Sequence, residues 1–271
     1  MFWIFLVYAA FLGMVLGSFL GLAAIRLRVG ESLVRPRSHC RNCDAKLSWY
    51  ENIPLLSYLF LKGRCGHCSK PISPRYFLME LSATCLAILT YWEIHPWPRA
   101  LLYFCLLVAP VLLLIFMDAE WFVLPDAVTV PGIILGIAVH ILDTLLWPGL
   151  HPVAWWHPAL DSVLGILAGG LTLLLLAQAY ALARKKEGMG GGDVKMAAML
   201  GAFFGWKAVF FIFFLSSLLG IVFGVVLILR RRAASSAPIP FGSCLGASAL
   251  LYLYWGEILI RKYLAWAHSV L

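Results

Sequence analysis

Apolar runs of about 20 residues recur along the chain, each closed by a charged or proline-marked stretch, and this pattern restricts the fold more than any other feature. The first run, Phe2 to Ile25, is followed directly by Arg26 and Arg28. The same pattern predicts helices near 76–92, 100–117, 127–147, 161–183, 194–205, 208–229 and 243–260, with Pro96, Pro98, Pro148, Pro152 and Pro158 marking turns between them. Composition agrees: 62% hydrophobic residues, 13% charged residues and a mean hydropathy of +0.90 lie outside the soluble range. The expected fold is an all-α polytopic membrane protein of about eight transmembrane helices, in contact with membrane lipid. One stretch strains that count. As a helix, 194–205 rises only about 18 Å against a core of roughly 30 Å, so it either tilts on Gly201 and Gly205 or does not span. No internal repeat is apparent.

The net charge of +8 would suggest a nucleic-acid partner if it were spread over a surface, but it sits in short clusters between apolar runs, and no such partner is expected. Of the 21 Lys and Arg residues, all but Arg99, Lys207, Arg261 and Lys262 fall on one predicted side, including the polar insert, Arg184 to Lys186, Lys195 and Arg230 to Arg232. The positive-inside rule puts that side in the cytoplasm and the N-terminus outside. The basic residues follow the first apolar run rather than precede it, the reverse of a secretory signal. Trp92, Trp97, Trp147, Trp155 and Trp156 gather on the outer side as an aromatic belt. The organisation expected is a first transmembrane helix (1–25), a cytoplasmic insert (26–75) and a transmembrane core (76–271).

Within the insert, Cys40-Arg-Asn-Cys43 and Cys65-Gly-His-Cys68 form C-x2-C-x21-C-x2-C. Four thiolates in two such pairs satisfy tetrahedral zinc and close a loop too small for its own core. The competing reading is two disulfides, which a cytoplasmic location disfavours. A closed four-sulfur site leaves no position for water, so the metal expected is structural. His39 and His67 adjoin the ligands and could substitute for one, but read first as ordinary surface histidines. Cys85, Cys105 and Cys244 lie inside apolar runs and are expected to be small, buried packing residues.

Acidic residues near a membrane plane need a reason. Asp118 closes the third run, and Asp193 ends the glycine run Gly188-Met-Gly190-Gly-Gly192-Asp193. Topology places both at the cytoplasmic boundary. Two adjacent carboxylates tend to share one proton, so that one activates water while the other hydrogen-bonds a scissile carbonyl. Helix-end solvation remains an equal reading for Asp118 alone, and an N-cap for Asp193. Asp126 reads as an N-cap after Pro125, and Glu120 as a solvated charge. Lys195 is either a counter-ion to Asp193 or an interface-seeking cation. A proton-coupled transporter would hold its carboxylates near the midplane. A non-enzymatic scaffold would give no reason for the glycines.

Taken in order, these stretches resemble the type IV prepilin peptidases. The likeness runs through Gly17-Ser-Phe-Leu20, the paired-cysteine insert, Ser48-Trp-Tyr-Glu51-Asn52-Ile-Pro54, Gly63-Arg-Cys65, Ile72-Ser-Pro-Arg-Tyr76, Asp118 with Pro125-Asp126, Gly190-x-Gly192-Asp193, and Ile239-Pro-Phe-Gly242. The resemblance implies a G-x-G-D aspartic protease of the bacterial inner membrane, with Asp118 and Asp193 as its dyad. Gly190, Gly192, Lys195, Asp126 and Glu120 take supporting roles. Its substrates would be prepilins or pseudopilins with a basic leader, in pilus or type II secretion systems. The family also methylates the new N-terminal amine with S-adenosylmethionine. No methyltransferase glycine loop appears here, so that activity rests on the resemblance, with Glu51 and Asn52 as candidates for a cofactor or substrate surface; a turn packed on the membrane is the equal alternative. A peptidase without methylase activity stays open. Gly21 and Glu120 depart from the family's usual Asn and Asp.

Overall fold

The computed structural model describes residues 2–35, 38–148, 156–185, 189–229 and 239–270. Arg37, Pro152, Trp155, Lys186, Gly188 and Arg230 to Arg232, used above for topology and motifs, lie outside them. The described residues form ten α-helices: α1 (Phe2–Val29), α2 (Leu56–Phe60), α3 (Pro74–Glu93), α4 (Trp97–Tyr103), α5 (Ala109–Trp121), α6 (Asp126–Leu146), α7 (Trp156–Ile166), α8 (Thr172–Arg184), α9 (Gly191–Leu229) and α10 (Phe241–Val270).

Two predicted spans are continuous rods containing one widened turn. A π turn at Phe104–Val108 joins α4 to α5, and another at Leu167–Leu171 joins α7 to α8. Pro110 accounts for the first, because a proline can neither donate to the carbonyl four residues back nor fit its ring against it. Five helices are long and apolar enough to cross a membrane: α1, Trp97–Trp121, α6, His157–Arg184 and α9. Counting α10, bent by 70° near Glu257, makes six. The chain is thus an all-helical, multi-pass membrane protein, and the expected eight helices are an approximate count. The predicted segments 194–205 and 208–229 count together as α9, but they are two helices meeting at a kink, where Gly205 (φ 75°, ψ 173°) leaves helical geometry between them. The other shortfall is α3, helical where predicted but diluted by Arg75, Glu80, Thr84 and Thr90.

The chain divides into two compact units, Met1–Phe116 and Met117–Leu271. In the first, α1 lies along α3. A Cβ on Gly13 would stand 2.7 Å from the Thr84 Cα, and one on Gly17 would stand 2.7 Å from the Glu80 Cα. Small residues four apart let helix backbones touch, which is the main source of helix affinity where lipid is as apolar as leucine. In the second unit, α6, α7 and α10 pack around α9. Gly165 and Gly201 bring α7 and α9 so close that a Cβ on either would collide with the other's carbonyl. Ser162 donates to the Ala202 carbonyl at 2.8 Å and pairs with His140 Nδ1 at 2.9 Å, a polar link across three helices. Outward-facing Phe214, Ile221 and Leu175 are exposed, as side chains solvated by lipid are.

Candidate active site

All the acidic residues singled out above except Glu51 fall in the second unit. Helix α5 runs past the predicted end at 117 to Trp121, so Asp118 sits one turn inside it. Phe122 ends the helix in a left-handed conformation (φ 54°), its N–H returning to the Asp118 carbonyl at 2.9 Å. Pro125 then keeps Leu124 out of helical geometry until α6 begins at Asp126. Asp118 is buried, at 5% exposure. Both donors of Ser243, in the first turn of α10, converge on its Oδ2: the backbone N–H at 2.5 Å and the hydroxyl at 2.8 Å.

Asp193 lies in the first turn of α9, past the N-cap position, with its N–H on the Gly190 carbonyl at 3.2 Å. Its carboxylate is half-buried and within electrostatic reach of Asp118. Leu124 sits against the glycine ahead of Asp193 and the glycine ahead of Ser243. A Cβ on Gly192 would be 2.9 Å from the Leu124 Cβ. One on Gly242 would be 2.9 Å from the Leu124 Cδ1 and 3.0 Å from the Asp118 Cγ. The two glycines are therefore what let α9 and α10 close on the Asp118–Leu124 segment. Gly190 stands beside Asp193, whose Oδ2 is 3.8 Å from where a Gly190 Cβ would lie.

The remaining expectations divide. Lys195 donates to both oxygens of Asp126 at 2.7 Å, so its partner is Asp126 and not Asp193. Asp126 is the first helical residue of α6, with Pro125 in the cap position, which corrects the N-cap reading. Glu120 lies in the last turn of α5. Ser243 was not anticipated; its only sequence signal is that it follows the Ile239–Gly242 stretch.

The first unit holds the paired cysteines. The sulfurs of Cys40, Cys43, Cys65 and Cys68 all lie within 4.8 Å of one another, and none is in a disulfide. Two hairpins present them, and each bond of the first recurs in the second. Cys40 N–H reaches Ala45 O as Cys65 N–H reaches Lys70 O, both at 2.9 Å. Asp44 (φ 53°) and Ser69 (φ 57°) make the same left-handed turn, and His39 bridges Lys46 as Arg64 bridges Pro71. This is an internal repeat that the sequence hides, because only the cysteines coincide. The Asn42 N–H brings the Cys40 thiol down to about 7, whereas Cys43, despite the Ala45 N–H, is pushed up to about 11 by burial and the neighbouring Cys40 and Cys68 sulfurs. Of the three cysteines expected to be buried in apolar runs, Cys244 is, but Cys105 is half-buried and Cys85 lies on the outward face of its helix, exposed.

A cavity of about 1030 Å³ opens between α1, the insert and α3, lined among others by Arg26, Asn52, Tyr58, Tyr76 and Glu80. Glu51 also borders it. Its Oε2 accepts the Ser48 N–H at 2.9 Å and faces His67 Nε2 at 3.4 Å. The Ser48 N–H first, and then His67, hold the Glu51 carboxyl below the usual carboxylate range despite burial. Glu51 thus ties the Trp49–Asn52 turn to the second cysteine hairpin, and Asn52 is the exposed member of the pair.

Two family models match the chain. The bacterial peptidase A24 N-terminal domain covers residues 11–94, and the type IV leader peptidase family covers residues 105–225. Relatives named prepilin leader peptidase/N-methyltransferase include that of Aeromonas salmonicida, 41% identical over 86% of this chain and 76% of the relative. That of Pseudomonas aeruginosa is 35% identical over 92% and 81%, and that of Pseudomonas putida 32% over 93% and 91%. No solved structure matches this chain.

Proposed function

The chain belongs to the type IV leader peptidase family, whose members cut prepilin leaders and methylate the amine exposed, and from that premise we propose that Asp118 and Asp193 make the cut. The observation that carries this is the placement of a buried, doubly bonded Asp118 within electrostatic reach of Asp193. Because Ser243 occupies Oδ2, Asp118 takes a proton from water through Oδ1. The hydroxide attacks the scissile carbonyl carbon while Asp193, protonated, donates to the carbonyl oxygen. Collapse of the tetrahedral adduct returns the proton to Asp193 and breaks the C–N bond, and the leaving amine takes the proton that Asp118 had removed from water. The Lys195–Asp126 pair links the starts of α6 and α9 at the exposed edge of this site and is given no part in the chemistry. The family assignment and the cation distribution support an inner-membrane protein with its N-terminus outside and its insert in the cytoplasm. Basic prepilin or pseudopilin leaders would meet the site there.

The four cysteines fit a closed, structural Zn²⁺ by donor type, number and mutual distance. The metal would lock the two hairpins together without entering the chemistry. The methyl donor, S-adenosylmethionine, would supply an electrophilic methyl to the new amine nitrogen. The cavity is large enough for a molecule of that size and offers both a cation, Arg26, and carboxylates, Glu51 and Glu80. There Asn52 is the contact residue, and Glu51 a positioning residue held by Ser48 and His67.

The test is to mix purified protein with a prepilin and follow the leader by gel shift and N-terminal mass. Asp118→Asn and Asp193→Asn should each lower the rate by at least about 100-fold, the low end of what a positioned acid or base supplies. Normal processing by either variant would end the dyad reading.

A further inference from the structure

Helix α2 exposes the wrong face for an insert surrounded by water. Tyr58 points inward and stacks on Phe77 of α3, ring centroids 5.1 Å apart. The outward face holds Leu56, Leu59 and Phe60, the i, i+3, i+4 positions of one helical stripe. Phe60 is 81% exposed. The adjoining turn shows Trp49, also 81% exposed, with Tyr50 edge-on to it at 5.8 Å.

The depth of this patch indicates what covers it. The Leu55 N–H, at the start of α2, donates to Glu80 Oε2 at 2.7 Å. Glu80 lies about 9 Å inside α3, by helix rise from Pro74. It also packs level with Gly17 of α1, which is about 12 Å inside the apolar run ending at Ile25. So α2 hangs beside the first turns of α3, which packs along the apolar span α1 and there exposes Leu78 and Leu81. Exposed Lys62, Arg64 and Arg75 flank it.

We propose that the Trp49–Tyr50 turn and the Leu56–Leu59–Phe60 face lie in the headgroup region of the bilayer leaflet on the insert's side, with Lys62, Arg64 and Arg75 against anionic headgroups. Aromatic rings beside an apolar stripe and a cation fringe are the composition of a segment lying in an interface. Leu55–Glu80 and Tyr58–Phe77 tie α2 to the stretch of α3 that exposes Leu78 and Leu81, and this favours lipid over a soluble protein as the occupant. The contact would hold the insert, and the cavity it forms with α1 and α3, against the membrane surface.

The test uses the full-length protein in nanodiscs of phosphatidylcholine with phosphatidylglycerol. A genetically encoded fluorescent amino acid replaces Phe60, or Lys46 on the first cysteine hairpin as the control. Doxyl groups near the top of the lipid chains should quench the probe at 60 and leave the probe at 46 bright. Equal quenching at the two positions would overturn the proposal. So would a probe at 60 that is buried only when a prepilin is added, which would mark a protein surface. Undiminished quenching without phosphatidylglycerol would remove the role given to the cations. If the Phe60 substitution does not fold, a probe at Trp49 gives the same reading.

Discussion

Asp118 owes its position to a residue that pattern reading could not supply. Ser243 is 125 positions away in sequence, and nothing local distinguishes a serine after Gly242 from any other helix-start serine. Ser243→Ala keeps the backbone donor on Oδ2 but removes the hydroxyl. A hydrogen bond to a charged group contributes about 1.5–3 kcal/mol, so steady-state kinetics should show kcat reduced at least about 10-fold with KM little changed. An unchanged kcat would show that the N–H alone positions Asp118. Lys195→Gln makes the opposite case. Its pair with Asp126 is largely exposed, at 43% and 62%, and exposed pairs contribute about 0–1 kcal/mol. Thermal unfolding should barely move, and cleavage should persist. The aspartates themselves were legible because few acids fall at the ends of apolar runs; their proximity was not, since it depends on how α5, α9 and α10 pack.

At the scale of elements, α9 shows how glycine spacing becomes helix packing. Gly201 meets Gly165 backbone to backbone, whereas a Cβ on Gly220 would meet nothing within 4 Å. Gly201→Ala should therefore destabilise the protein by about 1–3 kcal/mol, as overpacking does. Gly220→Ala should be neutral or stabilising by less than about 1 kcal/mol. Thermal melts in one detergent compare the two, and equal effects would mean that the α7–α9 contact relaxes freely. Gly201 and Gly205 were singled out from sequence as aids to a tilted segment. Their actual partners, Gly165 and the Asp161 carboxylate, belong to another helix and leave no trace in the local pattern. The cysteine hairpins show the converse. Their spacing announced the ligand set, yet their repeated hydrogen bonds were invisible because turn geometry tolerates Asp44 in one and Ser69 in the other. Pure protein should contain one zinc per chain by elemental analysis. Cys65→Ser should lose it, and protease should then cut between 38 and 72 first, because the metal would be what clamps the two hairpins to each other.

For the whole molecule, the apolar runs revealed the membrane class but not the number of crossings, because length and hydropathy judge each helix alone. Helix α3 was expected to span and is too polar to qualify unaided, but it lies along α1 through Gly13 and Gly17, so its polar groups face a protein neighbour as well as lipid. What the sequence did not reveal is the division at Phe116. It leaves the cysteine cluster and the large cavity in one compact unit, and Asp118, Asp193 and Ser243 in the other. Two chemistries assigned to separate units should be separable by mutation. Asn52→Ala should lower methylation at least about 10-fold, the effect of losing roughly 1.4 kcal/mol of binding, while leader removal proceeds at the normal rate. Asp193→Asn should stop leader removal yet methylate a synthetic mature pilin N-terminus supplied without its leader. Mass spectrometry of the pilin N-terminus reads both products in one sample. If Asn52→Ala slows both reactions equally, or if Asp193→Asn cannot methylate the leaderless peptide, the two activities share one site and the partition fails.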